Sequence, residues 1–151
     1  MLFRSKQSAP VLVRAVIDGD TIDVATYGRV RLLGIDAPEI GGPFERPAPF
    51  ALEARDELQT LVLNRFARFE CDLVAENDKY GRRLAYVVLE TGEFINARLV
   101  RDGLARVSAR RRLRRLDELR SAEREAQQRR RGMWGDTPRV PPESYRLRRR
   151  R

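Results

Sequence analysis

Four acidic residues lie at predicted turns and strand ends within residues 18–39 of the sequence: Asp18, Asp20, Asp36 and Glu39. Asp18 and Asp20 belong to an Asp-Gly-Asp-Thr turn, and the other two follow a run of apolar residues. Carboxylate oxygens are ligands for hard cations such as Ca²⁺ and Mg²⁺, whereas zinc and iron favour imidazole or thiolate. The spacing therefore predicts a divalent-cation site. For any one acid alone, an ordinary role on a solvated turn remains the alternative.

The residue types that are missing narrow the chemistry further. The sequence has no histidine, which excludes histidine general bases, histidine zinc sites and imidazole-dependent triads. Cys71 is the only cysteine, so neither an intramolecular disulfide nor a cysteine-based metal site is possible. If the protein is a hydrolase, carboxylates, arginines and a metal ion must carry the reaction.

The acids need strands to position them. Alternating apolar residues predict a first strand from Val11 to Asp18, and β-branched residues on either side of Gly28 predict a hairpin of two more strands. Carboxylates at the ends of strands can converge because a rigid sheet holds them. Arg31 lies in the third strand, where an unpaired inward charge would be costly. Since both faces of that strand carry apolar residues, alternation does not decide which way Arg31 points.

The rest of the chain predicts two more strands, three helices and an exposed loop. The loop covers residues 40–49, and Trp134 is expected to pack on the core. The strands cover 66–74 and 84–89, and the helices cover 48–64, 95–102 and 112–130. This order indicates an α+β protein built on an OB-type, five-stranded Greek-key β-barrel with three α-helices.

Charge is distributed unevenly along the 151 residues. Residues 1–100 hold 13 Lys or Arg against 15 Asp or Glu, while residues 101–151 hold 18 against 7. A basic C-terminal third favours a polyanionic partner, most commonly nucleic acid. An anionic membrane surface and a merely solvated arginine-rich helix are the alternatives. We expect no stable membrane insertion, because no apolar run approaches the ~20 residues that span a bilayer.

The length favours one domain over residues 10–135, with a flexible segment at 1–9 and a basic, disordered tail at 136–151. We expect a monomer. The first 13 residues lack the apolar stretch of a signal peptide. The sequence therefore leaves open a cytoplasmic protein or a secreted one whose leader has been removed.

Five segments occur in an order and at a spacing that resemble the staphylococcal nuclease (thermonuclease) family: VIDGDT, RLLGIDAPE, DKYGRRLAYVV, INARLVRDGLARV and GMW. The resemblance covers about residues 11–134. It implies an OB barrel with three helices. It also implies a Ca²⁺-dependent nuclease that cleaves single-stranded DNA and RNA and leaves 3′-phosphate ends.

The resemblance also implies roles for particular residues. Asp20, Asp36 and the backbone carbonyl of Ala37 match the family's calcium ligands, and Asp18 matches an acid just outside them. Glu39 matches the glutamate assigned as general base or water-positioning residue. We therefore expect three acids, Asp20, Asp36 and Glu39, to meet around one cation and its water.

On the substrate side, Arg31 and Arg82 match the two arginines that hold the scissile phosphate. Lys79 and Tyr80 match the substrate-binding positions of the nucleotide pocket. One departure from the family's pattern is Ala109, which lies near the position of a nucleotide-contacting tyrosine.

Two other classes of function remain open from the sequence. A non-catalytic nucleic-acid-binding module could use the same barrel. A basic membrane-surface or scaffold protein would depend on the tail. DNA against RNA preference, and Ca²⁺ against another divalent ion, are not decided by the residues.

Overall fold

The computed structural model describes residues 7–73 and 75–135. The strands are β1 Val11–Asp18, β2 Thr21–Val24, β3 Gly28–Leu32, β4 Ile35–Asp36, β5 Phe66–Glu70, β6 Arg83–Leu89 and β7 Arg106–Val107. The helices are α1 Ala51–Val62, α2 Ile95–Arg101 and α3 Leu116–Gln128, followed by a short 3₁₀ helix at Gly132–Trp134.

Five strands close into a barrel in the order β1-β2-β3-β6-β5. All neighbouring pairs are antiparallel except β3 and β6, which run parallel. The barrel is filled by fully buried aliphatic side chains such as Val13, Ile22, Leu32 and Val87. The predicted α+β class, with an OB-type five-stranded barrel and three helices, is confirmed.

The hairpin of β2 and β3 brings two site residues side by side. Its register pairs Thr21 with Arg31 and Val24 with Gly28. Gly28 has a φ of 72°, a left-handed conformation that glycine adopts without steric cost, and Thr26 in the same turn has a φ of 74°. This turn therefore fixes the register that places Arg31 next to the Asp-Gly-Asp-Thr segment.

A second, two-stranded sheet was not predicted from the sequence. It pairs β4 with β7, joining Asp36 to Arg106 and Ile35 to Val107. Gly34 precedes it with a φ of 81°, and a Cβ at this position would lie 2.7 Å from Leu119 Cδ1. Only glycine therefore lets the chain leave β3 under α3 and enter β4. Strands of two residues carry no alternation, so their pairing depends on remote contacts that a sequence pattern does not show.

Three element boundaries differ from prediction by three residues or more, and the others by two residues at most. α1 begins at Ala51 rather than 48, after Phe50 adopts a left-handed φ of 70°. α3 begins at Leu116 rather than 112 because residues just before it bind remote acids. β5 ends at Glu70, and Leu73, expected within that strand, is 65% exposed. Val74, residues 1–6 of the segment predicted to be flexible and residues 136–151 of the predicted tail lie outside the described residues. Within the described part of the chain, no helix is both long and apolar enough to cross a bilayer.

A pair of carboxyl groups links α1 to the end of α2. Among the described residues, Glu57 Oε2 is buried and accepts no hydrogen bond, and the Glu57 carboxyl group lies next to that of Asp102. Two carboxyl groups can hydrogen-bond only if one is protonated. Burial first, and then Asp102, raise the pKa of Glu57 from 4.5 to about 8, against the opposing charge of Arg98. Burial would raise the pKa of Asp102 too, but its bonds with Glu57 and Arg98 hold that pKa below its usual value.

Stability should therefore fall as pH rises from about 5 to about 8. Because the folded-state pKa of Glu57 exceeds its unfolded value, its favourable contribution is complete below the unfolded pKa of 4.5 and is lost by about pH 8. We expect a loss of about 1 to 2 kcal/mol, reduced by solvent screening of a partly exposed side chain. Urea unfolding at several pH values measures it. In Glu57→Gln the free energy of unfolding should depend less steeply on pH over this range. An unchanged pH dependence would show that another group titrates.

Candidate active site

Arg31, on β3, connects two of the acids that the sequence singled out. Its Nη2 lies 3.2 Å from Asp20 Oδ2 and 3.1 Å from Asp36 Oδ1. Its Nη1 donates to the carbonyl oxygens of Leu32 at 2.7 Å and Ile35 at 2.8 Å. The side chain is only 17% exposed. These contacts decide which way Arg31 points, which the alternation of residues in the sequence left open. Val30 and Leu32 fill the barrel, and Arg31 points to the outer face against the acids.

Asp20 is the most buried of these acids, with 5% of its surface exposed. Its Oδ2 accepts a hydrogen bond from the Ala37 amide at 2.8 Å, and its Oδ1 accepts from Thr21 Oγ1 at 3.3 Å. The pKa of Asp20 is raised to about 7. Burial is the largest cause, the charge of Arg31 opposes it, and the neighbouring carboxylate of Asp18 adds to the rise. Asp18 Oδ1 in turn accepts from the Asp20 amide at 3.0 Å. Asp20 is thus a desolvated carboxylate next to a single guanidinium.

Gly19 makes this burial possible. A Cβ at Gly19 would lie 2.7 Å from the Cβ of Ala54 and 2.8 Å from the Cβ of Ala37. The turn can therefore press against α1 and against the segment after β4 only without a side chain at this position. The consequence is that Asp20 reaches the amide of Ala37.

Arg82 joins the same network from the turn before β6. Its Nε bonds Asp78 Oδ2 at 2.6 Å, and its Nη1 donates to Thr21 Oγ1 at 3.3 Å. Thr21, in turn, donates to Asp20. The two arginines predicted to hold a phosphate are therefore linked through one hydroxyl and one carboxylate. Sequence reasoning missed Thr21, although it adjoins Asp20 and lies opposite Arg31 in the hairpin.

Glu39 lies apart from this network. Its residue is exposed, and its carbonyl oxygen accepts from the Ala48 amide at 2.8 Å, which closes the base of the 40–47 loop. In the described ranges, no three acidic, histidine or cysteine side chains lie close enough to hold a metal ion. The structure thus brings Asp20 and Asp36 together through Arg31 and leaves Glu39 outside the pair.

The donor chemistry still fits a hard cation. Asp20 and Asp36 approach the same Arg31 nitrogen to within 3.2 Å, and Ala37 is bonded to Asp20 through its amide. The carboxylates and the Ala37 carbonyl form an all-oxygen set, which suits Ca²⁺ or Mg²⁺ and not zinc or iron.

A groove of about 460 Å³ extends from Arg31 and Arg82. We call it the arginine groove. Tyr80 at its edge is 70% exposed, with the Lys79 Nζ 5.1 Å and the Arg82 Cζ 5.2 Å from its ring centre. The groove is lined by two further arginines and the surrounding residues: Arg31, Leu32, Leu33, Gly34, Ile35, Glu76, Asp78, Lys79, Tyr80, Arg82, Leu84, Ser108, Ala109, Arg110, Arg111 and Leu113. Cations and an exposed aromatic ring in one groove suit phosphates and bases.

The far wall of the arginine groove is tied to the barrel by buried acids that sequence reasoning overlooked. Asp72 accepts from the Tyr86 hydroxyl at 2.7 Å and the Arg114 amide at 2.7 Å, and its Oδ2 lies 3.3 Å from Arg111 Nη1. Burial would raise the pKa of Asp72, but these bonds together hold it below its usual value. Glu70 is likewise clamped by Arg114 and by Arg115, each within 2.9 Å. These ion pairs fix the loop that carries Arg110 and Arg111.

A known protein family matches most of this chain. Residues 29–136 match the family described as staphylococcal nuclease homologue. The chain belongs to the staphylococcal nuclease family. The match includes β3 from Arg29 onward, Arg31 and Arg82, and the acids from Asp36 onward, whereas Asp18 and Asp20 precede it.

Three relatives show how far the similarity extends. A thermonuclease of Staphylococcus intermedius is 43% identical over 98 residues, which cover 63% of this chain and 57% of that protein. A thermonuclease of Staphylococcus hyicus is 37% identical over 125 residues, covering 80% of this chain and 73% of that protein. An uncharacterized endonuclease of Escherichia coli O157:H7 is 33% identical over 136 residues, covering 88% and 82%. The chain thus spans little more than half of the S. intermedius relative.

Proposed function

We propose that this protein is a nuclease that hydrolyses phosphodiester bonds of single-stranded DNA and RNA with one divalent cation, Ca²⁺, and leaves 3′-phosphate ends. The observation that carries the proposal is the joining of Arg31, Arg82, Asp20 and Asp36 at one end of the arginine groove. Relatives in the same family carry the names thermonuclease and endonuclease, which supports this choice of chemistry.

Arg31 and Arg82 would hold the scissile phosphate. A guanidinium matches two phosphate oxygens at once and stays charged at any physiological pH. Both arginines are already held by protein oxygens, Arg31 by Leu32 and Ile35 and Arg82 by Asp78. They would therefore meet the phosphate with little loss of side-chain freedom, which favours a phosphate whose charge is growing.

Asp20, Asp36 and the carbonyl of Ala37 would hold the cation, with Asp18 supporting Asp20 through its amide. When bound, a divalent cation stabilises charge on the phosphorus oxygens and lowers the pKa of a bound water. Asp20, with 5% of its surface exposed, lacks solvent to balance its charge, and this favours binding of a cation beside it.

Glu39 would take the proton of the attacking water. It is the remaining acid of the four that the sequence singled out and is not tied to either arginine in the contacts described above, so its carboxylate is available as a base. With no histidine in the chain, a carboxylate is the residue type that fits the role. Its position after Pro38 puts it three residues from Asp36.

The test is to incubate the protein with end-labelled single-stranded DNA and RNA in Ca²⁺, in Mg²⁺ and in excess chelator. We expect short fragments with 3′-phosphate ends in Ca²⁺ and loss of cleavage in chelator. Full cleavage in chelator would disprove the role of the metal. Retardation of the strands without shortening would favour the second candidate, a non-catalytic nucleic-acid-binding module, which the lack of a three-acid cluster among the described residues also fits.

A membrane-surface or scaffold role depends on residues 136–151, which lie outside the described residues. Monomeric state and the preference between DNA and RNA also stay predictions. The same labelled strands, compared in parallel, measure that preference directly.

A further inference from the structure

A second groove borders the acid pair and shares no lining residue with the arginine groove. The two grooves meet at β4, where Ile35 lines the arginine groove and Asp36 lines this one. We call it the Asp36 groove. It has a volume of about 330 Å³ and is lined by Asp36, Ala37, Pro38, Ala48, Pro49, Phe50, Arg106, Met133 and Gly135. A volume of this size lies at the low end of the range for ligand sites.

The walls of the Asp36 groove are mostly apolar, with one cation at the edge. Two prolines, two alanines, a phenylalanine and a methionine line it, and Arg106 is exposed. Because Arg106 pairs with Asp36 across β4 and β7, their side chains lie on the same face of the small sheet. The Arg106 guanidinium lies 5.1 Å from the centre of the Trp134 ring.

The charges on this face favour a neutral, flat group in the groove over a bare phosphate. The Asp36 side chain is 59% exposed and would repel a phosphate placed on the groove floor. A nucleobase carries no charge, and the apolar lining, which includes the ring of Phe50, offers a surface against which a flat base can pack. Arg106 at the edge can then meet the phosphate attached to that nucleotide.

We propose that the Asp36 groove binds the base of the nucleotide adjoining the scissile phosphate, on the opposite side of that phosphate from the nucleotides in the arginine groove. The proposal deepens the proposed function and rests on it, since the scissile phosphate is placed on Arg31 and Arg82, next to the proposed cation ligand Asp36. A polynucleotide would then cross β4. Its phosphates would lie mainly in the arginine groove, and one base would lie in the Asp36 groove.

The chain carries its own reporter for this site. Trp134 is the only tryptophan, it contacts Arg106, and the residues on either side of it, Met133 and Gly135, line the groove. A base bound there should therefore change Trp134 fluorescence. Hexathymidylate in Ca²⁺ is the probe, with Glu39→Gln as the background protein so that cleavage is slow during the titration.

Filling the Asp36 groove by Ala48→Phe should weaken hexathymidylate binding about 5- to 100-fold, the range for loss of one stacked base, and should abolish the Trp134 response. Ala75→Phe is the matched control, because Ala75 is exposed and lines neither groove. Equal affinity and an unchanged Trp134 response in Ala48→Phe would overturn the proposal. The same response to inorganic phosphate alone would also overturn it, by assigning the groove to an anion.

Arg106→Gln tests the proposal without filling the groove, should Ala48→Phe fail to fold. It should weaken binding and lower the slope of log affinity against log salt by about 1, as expected for loss of one phosphate contact. An unchanged slope would remove Arg106 from the site. Cleavage assays on the single variant Ala48→Phe, without Glu39→Gln, separate the groove proposal from the nuclease proposal. If Ala48→Phe cleaves normally with unchanged KM, the groove proposal is wrong and the nuclease proposal stands. If hexathymidylate binding depends on Ala48 but the parent protein cleaves nothing, the nuclease proposal is wrong and base binding in the groove stands.

Discussion

Replacing Arg31 with lysine should lower the rate of phosphodiester hydrolysis by about 10²- to 10³-fold, the usual cost of losing a preorganised donor to the developing charge. Lysine keeps the positive charge but lacks the planar guanidinium, which can donate to two oxygens at once. Arg31 reaches two backbone carbonyls and two carboxylates through two nitrogens, and a lysine ammonium is a single point donor that cannot keep these contacts and a phosphate together. Initial rates on a labelled single strand at fixed Ca²⁺ measure the loss.

The control for this variant has to separate chemistry from folding. Arg31→Lys also loses bonds to Leu32 and Ile35, so its melting temperature should fall, and rates must be compared at a temperature where both proteins are folded. Arg29→Lys is the matched control, because Arg29 is exposed on the same strand and its register partner is Asp23. A rate for Arg31→Lys within tenfold of the parent protein would show that Arg31 positions the acids and does not hold the phosphate.

The sequence predicted the barrel well because its evidence is local. Alternation and the turn at Gly28 specify β1 to β3, and these strands place the acids at their ends. The orientation of Arg31 was not decided because residues on both sides of it are apolar. Its direction is set by Asp20, Asp36 and the carbonyl of Ile35, which reach it only in the folded chain.

The features that sequence reasoning missed depend on contacts between distant residues. β4 and β7 are two residues each and pair across about 70 positions of chain, too short and too remote for a pattern to show. α3 was predicted to begin four residues early because Leu113 continues the apolar spacing. Leu113 is indeed buried, but Arg114 and Arg115 are drawn to Glu70 instead of starting the helix.

The acid cluster shows the limit of residue types alone. Three carboxylates at predicted strand ends were expected around one cation, and the structure places two of them on Arg31 and the third on a loop base closed by the Ala48 amide. Acid count and spacing do not fix this, because the position of Ala37, beside Asp36, depends on its close approach to Gly19 and on its hydrogen bond to Asp20. We therefore propose that Glu39 acts as the base and that Asp20 and Asp36 bind the cation. A variant of Glu39 can separate these two roles.

Glu39→Gln should reduce the hydrolysis rate by about 10²- to 10⁴-fold, the range for loss of a general base. Glutamine keeps the size of the side chain and removes only its basicity. Because Glu39 is exposed and its structural contact is the backbone bond from Ala48, the melting temperature should not change. Ca²⁺ affinity should also change little, since the proposed ligands are Asp20, Asp36 and the Ala37 carbonyl.

That separation makes the result decisive. In a protein where Glu39 is a base, kcat falls while binding of single strands and of Ca²⁺ stays as in the parent protein. In one where Glu39 binds the cation, Ca²⁺ affinity falls with the rate, and added Ca²⁺ restores part of the activity. Glu90→Gln, on an exposed turn, controls for loss of one negative charge and should have no effect on either quantity. A Glu39→Gln protein that cleaves at the parent rate would assign the base to another group and leave Glu39 as a residue of the loop.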